Sequence, residues 1–222
     1  MTKLQNAASP LVIVGAGGLA REVAALVHDL NQSSETQSFE LLGFVSPEGP
    51  SHPLRFPWLG ADREVQKSLA PQTQFVVAIG SPFLRKRMAT QWETAGFTPA
   101  TLIHPSVRIG PSIEIGEGSI LAAGSSLTVD MKLGRHVIIN LHCTLGHDVE
   151  VSDFVTLSPG VHLSGASRIG TQSELGTGAV VLPGVRLGSR CRLGAGAVLT
   201  KHTGDGETWV GVPARASLTT DR

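Results

Sequence analysis

Read in steps of six from Ile103, the chain places Ile, Leu or Val at every stop through Leu199: Ile103, Ile109, Ile115, Leu121, Leu127, Leu133 and onward. Hydrophobic residues make up 41% of the chain, so seventeen such hits in a row arise by chance about 3 times in 10 million. Four places after each stop the side chain is usually small or compact, as at Ser119, Ser125, Cys143, Ala179 and Ala197. Glycine follows the aliphatic residue at 110, 116, 134, 146, 170, 176, 188 and 194. This is the hexapeptide pattern of a β-helix. Each unit predicts one short strand and one turn, with the aliphatic side chain inside and glycine accepting the turn's backbone angles. Three units close a coil of 18 residues, so 103–198 predicts about five coils without an insertion. A sandwich of alternating strands predicts irregular spacing instead.

The N-terminal third follows a different period. An apolar run at 11–14 enters Gly15-Ala16-Gly17-Gly18, and Leu19, Val23, Leu26, Val27 and Leu30 follow at helical spacing. Strand, glycine turn and helix open a nucleotide-binding α/β unit, in which small residues admit a ligand to the backbone and the helix start offers free N–H groups. The same residues also fit a tight turn with no ligand. Further strands are predicted at 40–45 and 74–79, the latter running into Gly80-Ser81. The proline-rich stretch 46–57 reads as a loop. A helix is predicted over 82–95, with proline in its first turn and Arg85, Lys86 and Arg87 on its surface. The unit is too short for a full dinucleotide fold. Its second strand ends in Ser46, where a dehydrogenase places an acidic residue for the ribose, which argues against NAD.

Composition narrows the classes. Of 222 residues, 18 are basic and 18 acidic, so the basic excess of a phosphate-gripping nucleic-acid binder is missing. No apolar run approaches the roughly 20 residues of a membrane helix, and MTKLQNAASP lacks the apolar core of a signal peptide. Two cysteines cannot staple a chain this long. Cys143 and Cys191 share the small-residue slot but lie 48 residues apart, not a multiple of 18, so they should occupy different faces as reduced core thiols in a cytoplasmic setting.

Among eight histidines, His147 falls at a turn two residues after Leu145, with Asp148 beside it. A carboxylate that orients one ring nitrogen leaves the other as a general base. One coil later stands Gly165, whose N–H could receive an oxyanion. A solvated turn histidine is the plainer alternative. A metal reading is weighed as well. His142 and His147 have the five-residue spacing of β-helix carbonic anhydrases, but the third ligand would fall at Ser106, so no metal is expected. His104-Pro105 reads as the entry to the first coil.

With VIVGAGGLAREV, VAIGSPFLRKRM, LIHPSV, GHDVEVSDFVTLSPGVHLSG, GTGAVVLPGV, LGAGAVLTK and WVGVPAR in view, the chain resembles a family over about residues 9 to 216. The family is the bacterial sugar acetyltransferases with hexapeptide repeats and an N-terminal nucleotide-sugar-binding domain. It includes bacillosamine- and perosamine-type N-acetyltransferases and sialic acid O-acetyltransferase relatives. The resemblance implies a mixed fold: a small Rossmann-like α/β domain over 1–97, a left-handed parallel β-helix over 98–205 and a C-terminal tail over 206–222. It implies a cytoplasmic homotrimer that binds acetyl-CoA between neighbouring β-helices, with no nucleic acid and no membrane insertion. By resemblance His147 is the general base, Asp148 its orienting partner, and Gly165 the N–H donor to the acetyl carbonyl. Asn140, Thr156, Gly165, Thr177 and Ala195 fall on coenzyme positions, Thr156 standing where some relatives have histidine. Gly17, Gly18, Leu19 and Gly80 match nucleotide-sugar contacts, and Ser46 stands where the family often has Asp. The expected reaction is direct acetyl transfer to the amine of a nucleotide-linked deoxyamino sugar. Acetylation of a sugar hydroxyl, a zinc lyase and a non-catalytic binding module stay as alternatives.

Overall fold

Four apolar residues near the head of the chain become the middle of a parallel sheet. In chain order the first elements are β1 (Ser9–Val14), α1 (Gly18–Ser33), β2 (Phe39–Val45), β3 (Trp58–Gly60), α2 (Asp62–Ser68), β4 (Gln74–Val77), α3 (Pro82–Thr94) and β5 (Thr98–Pro99). The sheet order is β3-β2-β1-β4-β5, all parallel. The structure, a computed structural model, describes residues 8–33, 39–50, 53 and 55–217. Most of the stretch read against a signal peptide, residues 51, 52 and 54 of the proline-rich loop, and the last five residues of the tail lie outside the described residues.

Both faces of the sheet are covered, which explains the continuous apolar runs of its inner strands. Val23, Leu26, Val27 and Leu30 of α1 pack with Leu11, Ile13, Phe44 and Val76. Ala89 and Trp92 of α3 pack on the other side with Val12, Val14, Phe75 and Val77. The chain passes to opposite sides of β1 to form β2 and β4, so the carboxyl ends of β1 and β4 flank a topological switch point, where α/β folds bind ligands. The glycine turn and Gly80 sit there. The short β3, α2 and β5 were not among the expected elements, because runs of two to seven residues hold too little of any period.

From Leu102 to Leu199 successive strands of a face pair in parallel 18 residues apart, as in Ser126↔Thr144↔His162, and Thr208–Val210 then closes the first face on Arg192–Leu193 at an offset of 16, with Arg215–Ala216 antiparallel beyond it. This register builds the three sheets of a left-handed parallel β-helix. The first face begins with Leu102–Ile103, Ile120–Leu121, Ile138–Ile139 and Thr156–Leu157. The second runs from Arg108–Ile109 to Val198–Leu199 and the third from Ile113–Ile115 to Arg186–Leu187. The aliphatic stops from Leu121 to Leu199 fill one continuous core with Ile103 and Ile115 packed partly buried against it, whereas Ile109, expected inside, is exposed because it lies on the first strand of its face, at the open end of the coil stack. Each fully buried Leu or Ile contributes about 1.5–3 kcal/mol.

The turn chemistry differs from the expectation. From Ser112 to Gly196, every sixth residue is left-handed, with φ between 52° and 75°. That residue is the third after each aliphatic stop, and Asp148 (φ 59°) and Phe154 (φ 59°) fill it as well as glycine does. The glycines directly after the stops have no positive φ. They are needed for closeness: a Cβ at Gly146 would stand 2.7 Å from Gly165 N, and one at Gly176 2.6 Å from Ala195 N.

The three outer faces are unlike one another. Leu102, Ile120, Ile138 and Thr156 on the first are buried beneath the α/β half. The third presents Glu114, Lys132, Glu150, Arg168 and Arg186, all exposed. The second presents Ser126, Thr144, His162, Val180 and Val198, with its one outward arginine, Arg108, in the first coil.

The halves are joined by α3. Arg85, expected on the helix surface, is instead 0% exposed. Pro82, Arg85, Ala89 and Trp92 form the buried stripe of the helix. The Arg85 guanidinium donates to carbonyls of His136, Ile79, Gly80, Phe154 and Val155 and to the Thr156 hydroxyl, at 2.7–3.1 Å. Eight residues further along α3, Glu93 accepts from buried His136 at 2.9 Å and from Arg135 at 2.7 Å.

Candidate active site

The corner that carries His147 is built by the turn between the second and third faces. Leu145 fills the core and Gly146 lets the next coil approach. His147 follows, 66% exposed. The left-handed backbone at Asp148, tolerable for a short polar side chain, turns the carboxylate back, so that Asp148 Oδ2 lies 2.7 Å from His147 Nδ1. A carboxylate only accepts, so Nδ1 carries a proton, and in the neutral ring the lone pair is then on Nε2. The turn is held from both sides: Asp148 N donates to Val129 O at 3.2 Å and Ala166 N to His147 O at 2.8 Å.

The ring lies across Gly165. A Cβ there would stand 2.5 Å from Nε2 and 2.6 Å from Cε1 of His147. The Gly165 carbonyl accepts from Gly184 N at 2.9 Å, while its own N–H has no acceptor among the described residues. A lone pair and a free backbone N–H therefore sit side by side, which suits removal of a proton from an acceptor and stabilisation of an oxyanion.

Asn140 stands one corner earlier, at the opposite end of strand Thr144–Leu145. Its Oδ1 accepts from Leu141 N at 2.8 Å. It lines a cleft of about 200 Å³ between α1 and the first face, together with Leu19, Leu26, Ile120 and Ile138, with Glu22 and Asp29 at its edge. Leu19 and Asn140, far apart in sequence, thus share one cleft, and His147 does not line it. Thr177 and Ala195 are exposed and stack 18 residues apart on the Asn140 corner. His104, at the entry to the first coil, contacts Ser106 Oγ at 2.8 Å and Asp29 of α1 at 3.2 Å.

Thr156 is placed otherwise than the resemblance implied. It is 6% exposed; its hydroxyl donates to Gly80 O at 2.7 Å and accepts from Arg85 at 2.9 Å. It belongs to the joint between the halves, and its hydroxyl is used there rather than on an open coenzyme surface. At the switch point, Cβ atoms on Gly17 and Gly80 would meet nothing within 4 Å, so this backbone is open to a ligand. Gly18 has only Arg21 Nη2 nearby, at 3.9 Å. Gly15 is structural: its φ is 117° and a Cβ would stand 2.9 Å from Ala78 O. Ser46 turns into its own loop, its hydroxyl donating to Glu48 O at 2.6 Å and its N–H to Gly60 O at 3.1 Å.

Among the described residues no three His, Cys, Asp or Glu side chains gather to hold a metal ion. His142 and His147 occupy different corners of the coil. Cys143 and Cys191 are free and buried, next to strands of the second and first faces, and burial pushes the Cys143 thiol up to about 11. No described helix is long and apolar enough to cross a membrane. Sequence reasoning missed the Arg85 cage and the His136–Glu93 contact, whose bonds between the two halves join residues 43 to 71 positions apart.

Known proteins place these features in context. The family model for the PglD N-terminal domain matches residues 10–92, and the model for the hexapeptide repeat of succinyl-transferase matches residues 168–201. The acetyltransferase domain of PglB from Neisseria gonorrhoeae FA1090 is 34% identical, covering 94% of this chain and 100% of that one, with a TM-score of 0.86. The same domain has been solved in complex with acetyl coenzyme A, covering 95% of this chain and 100% of that one at the same identity and TM-score. PerB from Caulobacter crescentus, solved in complex with CoA and GDP-perosamine, is 30% identical, covering 94% and 97% of the two chains, with a TM-score of 0.82. The GDP-perosamine N-acetyltransferase of Escherichia coli O157:H7 is 32% identical over 111 residues, so the match spans half of this chain and half of that protein.

Proposed function

This chain belongs to the family of hexapeptide-repeat acetyltransferases that carry a PglD-type N-terminal domain, and from that premise we propose that it moves the acetyl group of acetyl-CoA onto the amine of a nucleotide-linked amino sugar. The observation that carries the proposal is the His147–Asp148 pair lying over the unoccupied N–H of Gly165.

The acceptor amine attacks the thioester carbonyl while His147 Nε2 takes its proton. Negative charge develops on the carbonyl oxygen, and Gly165 N–H donates to it. Asp148 holds the imidazolium through Nδ1. As the C–S bond breaks, the imidazolium returns the proton to the departing sulfur and the amide is complete. The open backbone at Gly17, Gly18 and Gly80 receives the nucleotide, which directs the sugar toward the cleft of Leu19 and Asn140.

That cleft and His147 lie at opposite edges of the second face, so one chain does not bring them together. The second face is also the one free of charge beyond its first coil. We infer that three copies pack through it around a common axis, so that the His147 edge of one copy meets the Asn140 edge of the next, and acetyl-CoA lies in the seam between them. Thr177 and Ala195 are on the Asn140 edge. Two copies, rather than one, then complete each site. The site of action is the cytoplasm, where acetyl-CoA and reduced thiols are available.

The test is to incubate the protein with acetyl-CoA and GDP-perosamine, a UDP-linked 4-amino sugar or sialic acid, and follow free thiol. Thiol release with an amino-sugar nucleotide supports the reading. Release only with sialic acid overturns the choice of amine. Mixed trimers of His147→Ala and Asn140→Ala chains should regain part of the activity that each variant lacks, and no recovery would refute the shared site.

A further inference from the structure

We propose that Arg85 is a positioning residue for acetyl transfer: through the Gly80 turn it fixes where the bound acceptor stands relative to the β-helix. The inference rests on the reading above that the switch point holds the nucleotide sugar.

Arg85 is fully buried, and none of its six hydrogen-bond partners is a carboxylate. A cation hydrogen-bonded only to neutral oxygens, with the carboxylate of Glu174 acting on it through space and not by contact, is unlike the ion pairs that ordinarily accompany buried arginines. Its acceptors come from both halves. Ile79 and Gly80 belong to the turn after β4, while His136, Phe154, Val155 and Thr156 belong to two successive coils. The Gly80 carbonyl is held twice, by Arg85 Nη1 at 3.0 Å and by the Thr156 hydroxyl at 2.7 Å. On its other side Gly80 is open to a ligand. One peptide thus faces the nucleotide crevice and is bolted to the coil that follows Asn140. The planar fork of guanidinium reaches all these oxygens, and an ammonium cannot. If the turn shifts by about 1 Å, an amine aligned for attack is misplaced, which costs about 100-fold in rate.

The experiment compares Thr156→Val, which removes the hydroxyl's bonds to Gly80 and Arg85 while keeping the shape, with Arg85→Lys, using acetyl-CoA and GDP-perosamine. The expected result for Thr156→Val is a KM for GDP-perosamine raised about tenfold and a lowered kcat, with the KM for acetyl-CoA within about twofold of the parent. Arg85→Lys should move the same parameters further, provided it remains folded. Amide hydrogen exchange of residues 79–84 should quicken in both variants. A merely structural joint would lower Tm and the active fraction while leaving both KM values unchanged, and that result overturns the proposal, as would an equal rise in both KM values. If the parent protein does not acetylate GDP-perosamine, the acceptor assignment fails on its own, and the exchange at 79–84 still decides whether Arg85 and Thr156 hold the turn.

Discussion

A methyl group on Gly165 would stand 2.5 Å from Nε2 of His147, closer than any real side-chain carbon approaches a ring nitrogen. The two residues are one coil apart, and the absence of a side chain at one is the condition for the pose of the other. Gly165→Ala must displace the imidazole. Its φ is not left-handed, so backbone strain does not enter. The variant is expected to keep its Tm within about 4 °C, the scale of 1 kcal/mol for a chain of this size, and to lose about 100-fold in turnover. Combining it with His147→Ala should bring no further loss, as steady-state kinetics on the double variant will show.

His147→Ala should lower kcat by about 100-fold or more, the usual worth of a general base. Asp148→Asn keeps a short polar side chain in the left-handed turn but removes the charge that stabilises the imidazolium. Its loss should be intermediate, appearing in kcat rather than in the KM for acetyl-CoA. Near-parental turnover in His147→Ala refutes the assignment.

His136 ties folding to pH. Burial holds its pKa below the ordinary 6.5, against the opposing pull of Glu93, with Arg135 and Arg85 adding to the depression. Below pH 6.5 the unfolded chain takes up a proton that the folded chain resists. The stability from neutral His136 is therefore complete above 6.5 and is lost as pH falls through 6.5 toward the folded value, at up to about 1.4 kcal/mol per pH unit for one proton. His136→Phe, stacked between Phe75 and Phe154, should flatten the decline of Tm from pH 7 to pH 5. An unchanged slope would exclude His136 as its source.

Cys143 should be inert in the folded protein. Its thiol is enclosed, and burial raises it to about 11, so little thiolate exists at pH 8. A thiol reagent followed by peptide mapping should leave Cys143 unmodified under native conditions and label it in denaturant. Native labelling would mean that the coil opens locally around residue 143.

The β-helix was legible because its code is local and repeated: each coil states the same three strands, and the 18-residue register follows from the spacing alone. The His147–Asp148–Gly165 corner was legible for the same reason, since counting one coil forward finds the glycine. Arg85 was not. Beside Lys86 and Arg87 on a short helix it reads as solvated, and the carbonyls that enclose it come mostly from 51 to 70 residues later. Thr156 was assigned to the coenzyme because family position says nothing of a hydroxyl that a distant arginine has already engaged. The glycines after the aliphatic stops were located correctly but for the wrong reason. Spacing shows that a side chain is missing, and only the neighbouring coil shows why.

The strand that leads to His147 is the third of six on its face, with two coils' worth of strands below it and three above. In a stack where each layer touches only its neighbours, fraying begins at the ends and dies out inward. The imidazole is therefore insulated from both ends of the prism, and an outermost coil can open without disturbing the His147 corner in its middle.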